Sequence, residues 1–344
     1  MLKITFDNLP KLLAALNELG ELQVPCENKS GKVDFEEWKV EKRPRFDVTL
    51  TSKSAKDLFF PQVEDLLAFK TEGKNLAIEQ IMPSDKKVIL MGVRACDIKS
   101  FELLDKVFLK DPVDTYYKAR RENTLIIGMA CSEPEETCFC GSFGIDATAP
   151  KGDVITWLVG DELYWQPVSE AGKALTEKVA ELFEETNDAK VVVQQEATKE
   201  VLAQMPLANF KVAAKLTESE LKTFNSKVWE EVSAGCLSCC TCTYVCPTCH
   251  CYDIRDYAVT DSHTERYRCW DSCLASDFTK MAHGNPRKTK VERFRQRYMH
   301  KLVYFPNNNE GDFACVGCGR CLQKCPVNLN IVKVAKALEV SEDV

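Results

Sequence analysis

The sequence predicts an α/β domain over residues 1–216, followed over 217–344 by a mostly helical, cysteine-rich domain with a long helical insertion at 247–314. Three observations predict this. The apolar runs "KKVILMGV" (86–93) and "NTLIIGMA" (123–130) read as buried strands of one parallel sheet, and helical period follows the first. Thirteen of the eighteen cysteines lie at or beyond Cys236, which leaves five in the 235 residues before it. The spacing C-x2-C-x2-C-x3-C-P occurs twice, at Cys236–Pro247 and at Cys315–Pro326.

Taken in order, "NLPKLLAALNEL" (8–19) has helical apolar spacing. The strand at 86–93 turns at "RACD" into "IKSFELLDKVFL" (98–109), again of helical period. "VITWLVGDELYWQPV" (154–168) alternates about Gly160–Asp161 and reads as a hairpin. Ser169 is placed to cap a helix running to about Glu185. Thr217 and Glu220 have capping-box spacing, which predicts one helix over "TESELKTFNSKVWEEV" (217–232) leading into the first cysteine motif.

A net charge of −7, from 45 basic and 52 acidic residues, argues against a nucleic-acid partner. The N-terminal residues carry acids among their apolar positions and have no cleavable leader pattern. The longest apolar runs are too short to cross a bilayer. A cytoplasmic protein without a membrane partner is expected. Thiols stay reduced in that compartment, so eighteen of them point to metal or clusters and away from disulfides.

The doubled spacing is that of bacterial ferredoxins. Three cysteines two residues apart can wrap one face of a cubane. The fourth, past a three-residue step, points away to the other cluster, and a proline turns the chain. One [4Fe–4S] cluster is therefore assigned to Cys236, Cys239, Cys242 and Cys325, and a second to Cys315, Cys318, Cys321 and Cys246. The bland alternatives are a zinc site or two unrelated C-x2-C knuckles, but zinc takes four ligands per site and has no use for an eight-cysteine crossover. The second domain is then a 2[4Fe–4S] ferredoxin-like unit.

Cys96 and Cys131 follow the two inferred strands at their carboxyl ends, and Cys138 and Cys140 share the loop after Cys131. Open α/β sheets build sites at that edge. These four read as a third [4Fe–4S] site, with zinc or plain packing of buried thiols as alternatives. Cys249, Cys251 and Cys273 either complete a further site or pack around the nearer cluster. Cys269 and Cys26 read as ordinary buried thiols, and His250 as a solvated turn residue. From Lys280 to Lys301 eight Lys/Arg face one acid, Glu292. That stretch is a solvated helix face, compensation for cluster charge, or a docking face for an acidic partner.

"CTYVCPTCHCYDIRD", "CWDSC", "FTKMAHGNPR" and "ERFRQRYMHKLVY" resemble the iron–sulfur protein family that includes the anaerobic sulfite reductase iron–sulfur chain together with the sulfhydrogenase β subunit. "GVRACDIKSFELLDKVFL" (92–109), "YYKARRENTLIIG" (116–128) and "CSEPEETCFCGSFG" (131–144) resemble that family's N-terminal domain. Cys240 departs from the pattern, since relatives usually carry glycine there. "WDSC" and the "CDI" turn are closer to the hydrogenase-type and flavin-linked members. The resemblance implies an electron relay. Single electrons would pass between a flavin subunit oxidising NAD(P)H, or ferredoxin, and a catalytic redox subunit such as a hydrogenase or heterodisulfide-reductase-type module. The residues agree in what they lack: there is no G-x-G-x-x-G, no P-loop and no catalytic constellation, so no flavin or nicotinamide site is expected in this chain. The competing functions are the iron–sulfur subunit of an anaerobic, siroheme-containing sulfite reductase and a non-redox structural zinc protein.

Overall fold

The computed structural model describes residues 1–344. Its strands are β1 (Leu2–Thr5), β2 (Glu21–Glu27), β3 (Val33–Glu37), β4 (Val63–Glu72), β5 (Asn75–Gln80), β6 (Val88–Val93), β7 (Thr124–Met129), β8 (Val154–Val159), β9 (Glu162–Pro167), β10 (Glu184–Glu185), β11 (Tyr252–Thr260) and β12 (His263–Trp270). Eight form one mixed sheet in the order β10-β1-β9-β8-β7-β6-β2-β3. Its centre, β2-β6-β7-β8, is parallel, and antiparallel strands flank it on both sides. Both faces of that centre are covered, which is why β6 and β7 are apolar without alternation. Ile89, Met91, Ile127 and Met129 pack with Leu12, Leu13 and Leu16 of the helix Leu9–Leu19. Leu90, Val93 and Ile126 pack on the opposite face with Ile98, Phe101 and Leu104 of the helix Ala95–Phe108.

The predicted hairpin at 154–168 forms as β8 and β9, paired from Val154↔Pro167 to Val159↔Glu162. Ser169 does cap a helix, its hydroxyl accepting from Gly172 N–H at 3.0 Å. That helix stops at Lys178 and does not reach Glu185, because Glu184–Glu185 extend to pair with β1. The single helix predicted over 217–232 is also corrected. The segment forms three short helices, Lys215–Glu218, Glu220–Asn225 and Val228–Ser233. The Thr217 hydroxyl turns back to the Ala214 carbonyl and makes no capping box. Ser226 is extended and bonded to Asp343 of the C-terminal segment, which breaks the chain direction there.

The largest departure concerns the insertion. Residues 252–270 form the hairpin β11–β12, which joins β4 and β5 in a second, antiparallel sheet ordered β11-β12-β4-β5. A mostly helical 247–314 is therefore corrected to a strand hairpin followed, after a loop, by helix. Buried Arg268 of β12 pairs within this sheet with Glu64 of β4 and ties it to the first region through an ion pair with Asp114. The helical part is Lys290–Met299, which opens with a true capping box between Thr289 and Glu292. It continues through a π-helical turn, His300–Tyr304, into Phe305–Asn308. No helix is long and apolar enough to cross a membrane.

Candidate metal centres

Three small cavities are lined by thiols. The first has Cys236, Cys239, Cys242 and Cys325 on its walls, with Phe294 and Tyr298 behind them. The second has Cys315, Cys318, Cys321 and Cys246. In both, the fourth thiol comes from the other motif. The third has Cys96, Cys131, Cys138 and Cys140. Cys96 lies in the first turn of helix Ala95–Phe108, straight after β6, and Cys131 follows β7 by two residues. Nowhere do three His, Cys, Asp or Glu side chains converge tightly enough to hold a single metal ion. Thiols spaced around a cavity suit a cubane, whose four irons each take one ligand, better than they suit zinc.

The backbone of the two motifs agrees residue by residue. Ser238 and Cys240 in the first adopt left-handed φ of 53° and 61°, and Gly317 and Gly319 in the second adopt 59° and 81°. Glycine is needed in the second motif for a further reason. A Cβ on Gly317 would lie 2.4 Å from the Phe139 carbonyl oxygen, and one on Gly319 would lie 2.5 Å from the Thr137 carbonyl oxygen. The loop carrying Cys138 and Cys140 thus lies directly on the second motif, and the Phe139 N–H donates to the Gly317 carbonyl at 2.8 Å. Cys240, the departure from glycine, is tolerated where side chains already stand in the same conformation. We expect Gly317→Ala to push this loop away, cost about 1–3 kcal/mol and lower iron content, while Ser238→Ala changes neither. Metal analysis and thermal melting of the two variants check this.

Buried cations surround the second cavity. Lys301, in the π-helical turn, donates to Thr248 Oγ1 and to the Ala314 carbonyl, both at 2.7 Å. Arg297 donates to the Cys242 carbonyl at 2.7 Å and to Cys249 Sγ at 3.2 Å. Lys56 reaches from the first region to the carbonyls of Cys246 and Cys249 at 3.1 and 2.9 Å, with its ammonium 3.6 Å from the Trp270 ring centre. All three side chains are buried. The basic stretch is therefore no solvated helix face: Arg297 and Lys301 point into the protein, and Arg295 stacks on Phe224. Arg297 Nε is a buried donor without a partner, and Arg297 lines the cavity, so a donor stands ready for cluster sulfur.

A hydrogen bond from Cys249, backed by Lys301 and Arg297, holds the Cys246 thiol well below its ordinary value. Burial does the opposite elsewhere. It pushes Cys315, Cys138 and Cys140 up to about 12, and Cys96 and Cys321 well above the ordinary thiol range. Those thiols are protonated at neutral pH until a cluster displaces the protons, so loading is favoured as pH rises.

The second and third cavities share a wall: Cys318 lines both. Beside it, buried Arg320 donates to both Asp97 oxygens at 2.6 and 2.8 Å and to the Thr51 carbonyl at 2.9 Å. Buried Arg94 links the Ala130 and Phe46 carbonyls next to Cys131. Sequence reasoning missed Lys56, Asp97, Arg94 and Arg320. Arg94 and Asp97 lie in the "RACD" turn and Arg320 inside the second cysteine motif, but nothing local marks them as buried partners, and Lys56 stands 190 positions from Cys246.

Of the remaining thiols, Cys249 accepts from Arg297 at 3.2 Å, while Cys251 and Cys273 flank the open end of the β11–β12 hairpin. Cys26 is buried in β2 and Cys269 half-buried in β12. His250 is corrected from a solvated turn residue. It packs against the Phe108 and His300 rings, and burial pulls its pKa down to about 4, so it is neutral at physiological pH.

Residues 235–329 match the 4Fe-4S dicluster domain family. The sulfhydrogenase 2 subunit beta of Pyrococcus furiosus is 35% identical over 345 residues, which covers 96% of this chain and 96% of that protein. No solved structure matches the chain.

Proposed function

The chain belongs to the sulfhydrogenase beta-subunit family, and from that premise we propose that it is the electron-transfer iron–sulfur subunit of a cytoplasmic, hydrogenase-type complex. Its electrons pass between a flavin subunit oxidising NAD(P)H, or ferredoxin, and a catalytic redox subunit. We take residues 217–344 as the dicluster unit and 1–216 as the unit that carries a third site. The observation that carries the reading is the three thiol-lined cavities, with Cys318 common to the second and third.

Each bound [4Fe–4S] cluster supplies one-electron transfer at a potential set by its surroundings. The chain's residues supply the rest. Cys236, Cys239, Cys242 and Cys325 would hold the first cluster, Cys315, Cys318, Cys321 and Cys246 the second, and Cys96, Cys131, Cys138 and Cys140 the third. Lys56, Arg297 and Lys301 offset negative charge about the second site, which favours its reduced state. The Arg320–Asp97 pair fixes the wall between the second and third sites. Phe294 and Tyr298 give the first cavity an apolar wall, and Phe139 does the same for the second.

The purified single chain is expected to show no NAD(P)H oxidation with viologen as acceptor, and to gain it when its flavoprotein partner is co-expressed. Robust NADH:viologen activity in the chain by itself contradicts the relay reading.

A further inference from the structure

The three thiol-lined cavities differ in how near they come to the surface. All four thiols of the third set are buried, and in the second set Cys318 is buried while Cys246, Cys315 and Cys321 are half-buried. In the first set Cys239 is exposed, the one exposed thiol of the chain. Two apolar side chains on the same cavity wall are exposed with it, Leu237 at 63% and Val327 at 41%. Leu237 belongs to the loop of the first motif, and Val327 to the loop that brings Cys325 across from the second. Both ligand loops of the first site therefore meet solvent with an apolar side chain, and exposed Pro326 stands between Cys325 and Val327.

Cations stand beside this opening. Lys290 Nζ donates to the Ala234 carbonyl at 2.9 Å and to the Cys236 carbonyl at 3.3 Å, which fastens the segment Lys280–Lys290 next to the first motif. That segment carries Lys280, Arg287, Lys288 and Lys290 and no acid, and Lys280 and Lys288 are exposed. Lys324, adjoining Cys325, is exposed on the other ligand loop. Glu230 and Glu231, on the helix that leads into the first motif, are exposed as well, so this side is basic on balance but not uniformly so. While Arg297 and Lys301 turn inward, the earlier part of the basic stretch faces water.

A few apolar side chains beside unburied charge have the composition of a transient redox contact, whereas permanent subunit interfaces bury larger and more hydrophobic areas. Electron transfer weakens steeply with distance, so a diffusing carrier exchanges electrons where a cluster meets solvent and not through the buried sites. We propose that Leu237, Cys239, Pro326 and Val327 form the docking face for a small, acidic, one-electron carrier of the ferredoxin type, and that its electron enters the relay at the first site. On docking, the carrier's reduced cluster loses one electron and the oxidised first site gains it; no bond is made or broken and no proton moves. The cations of Lys280–Lys290 steer the acidic carrier onto the face, and Leu237 and Val327 form the dry centre of the contact. The proposal rests on the cluster reading and names the carrier and its point of entry.

The test is stopped-flow reduction of the anaerobically purified full chain by a reduced, acidic bacterial 2[4Fe–4S] ferredoxin, with iron content measured on every sample. The wild type should be reduced in a second-order reaction that slows as salt rises. Lys280→Glu combined with Lys288→Glu should lower the rate constant about tenfold at low salt and flatten its salt dependence, at unchanged iron content. Leu237→Ser should lower it at every salt concentration. Ile78→Ser should not, since Ile78 is an exposed apolar side chain of β5 that lines none of the three cavities. The proposal is overturned if either the charge reversal or Leu237→Ser leaves the rate constant unchanged, or if Ile78→Ser lowers it as much. A wild-type chain of full iron content that ferredoxin does not reduce overturns it too. A wild-type chain without iron breaks the cluster reading instead, so the two failures are distinguishable.

Discussion

Arg320→Met is expected to strip iron from the second and third sites while the first keeps its own. Arg320 is 2% exposed and Asp97 1%, and their ion pair is bidentate, at 2.6 and 2.8 Å. Asp97 adjoins Cys96 in sequence, and Arg320 adjoins Cys321 and lies two residues from Cys318. One guanidinium therefore ties a ligand-bearing turn of the α/β region to a ligand-bearing turn of the second motif, across 223 positions of chain. Removing it leaves a carboxylate buried without a partner, which costs on the order of 3–5 kcal/mol. The Thr51 carbonyl and hydroxyl lose their donor as well. Replacing both partners, Arg320→Met with Asp97→Leu, removes the stranded charge and should recover much of the lost stability. Iron analysis with EPR of the reduced protein reads the outcome: loss of about eight of twelve irons in the single variant, and partial return in the double. Full iron retention in Arg320→Met would contradict the role given to the pair.

Lys301→Met is expected to lower the reduction potential of the second site. Lys301 lines that cavity, is 4% exposed, and donates to Thr248 and Ala314. Burial works against its charge, but the neighbouring sulfurs, Cys246 first, outweigh that and raise its pKa above the ordinary lysine value, so it stays cationic. Reduction adds one negative charge nearby. Without the cation, that added charge loses on the order of 2–3 kcal/mol of stabilisation at an effective dielectric near 20. For a one-electron couple this is roughly 100 mV downward, at about 59 mV per tenfold change. Lys288→Met, which removes an exposed charge in the same basic stretch, should leave the potential within a few tens of millivolts, because solvent screens it. An EPR-monitored redox titration separates the two. An unchanged potential in Lys301→Met would show that the buried cations do not tune this site.

Features legible in the sequence share one property: their signal is local or repeated. β6 and β7 are continuous apolar runs because helices cover both faces, and β8–β9 alternates about Gly160–Asp161. Each predicted set of four thiols lines one cavity, because fixed C-x2-C spacing and strand-end placement are geometric statements in themselves. Features that escaped depend on distant partners. β11 and β12 carry mixed polar sequence and are held by β4, almost 200 residues earlier in the chain. The helix predicted over 217–232 breaks at Ser226, where Asp343 of the C-terminal segment takes the Ser226 hydroxyl and the Lys227 N–H. Lys56, Arg297, Lys301 and Arg320 look like ordinary surface cations in sequence. Only folding shows them buried against thiols and carbonyls. The basic stretch was legible in composition, but its orientation was not.

The most direct test of the relay is the iron and acid-labile sulfide content of the anaerobically purified chain, set beside that of a Cys138→Ser, Cys140→Ser variant. Three [4Fe–4S] clusters predict about twelve of each per chain, falling to about eight in the variant. About eight in both would remove the third site and leave the thiols of the α/β edge as packing residues. Stoichiometric zinc with iron near zero would contradict the account as a whole.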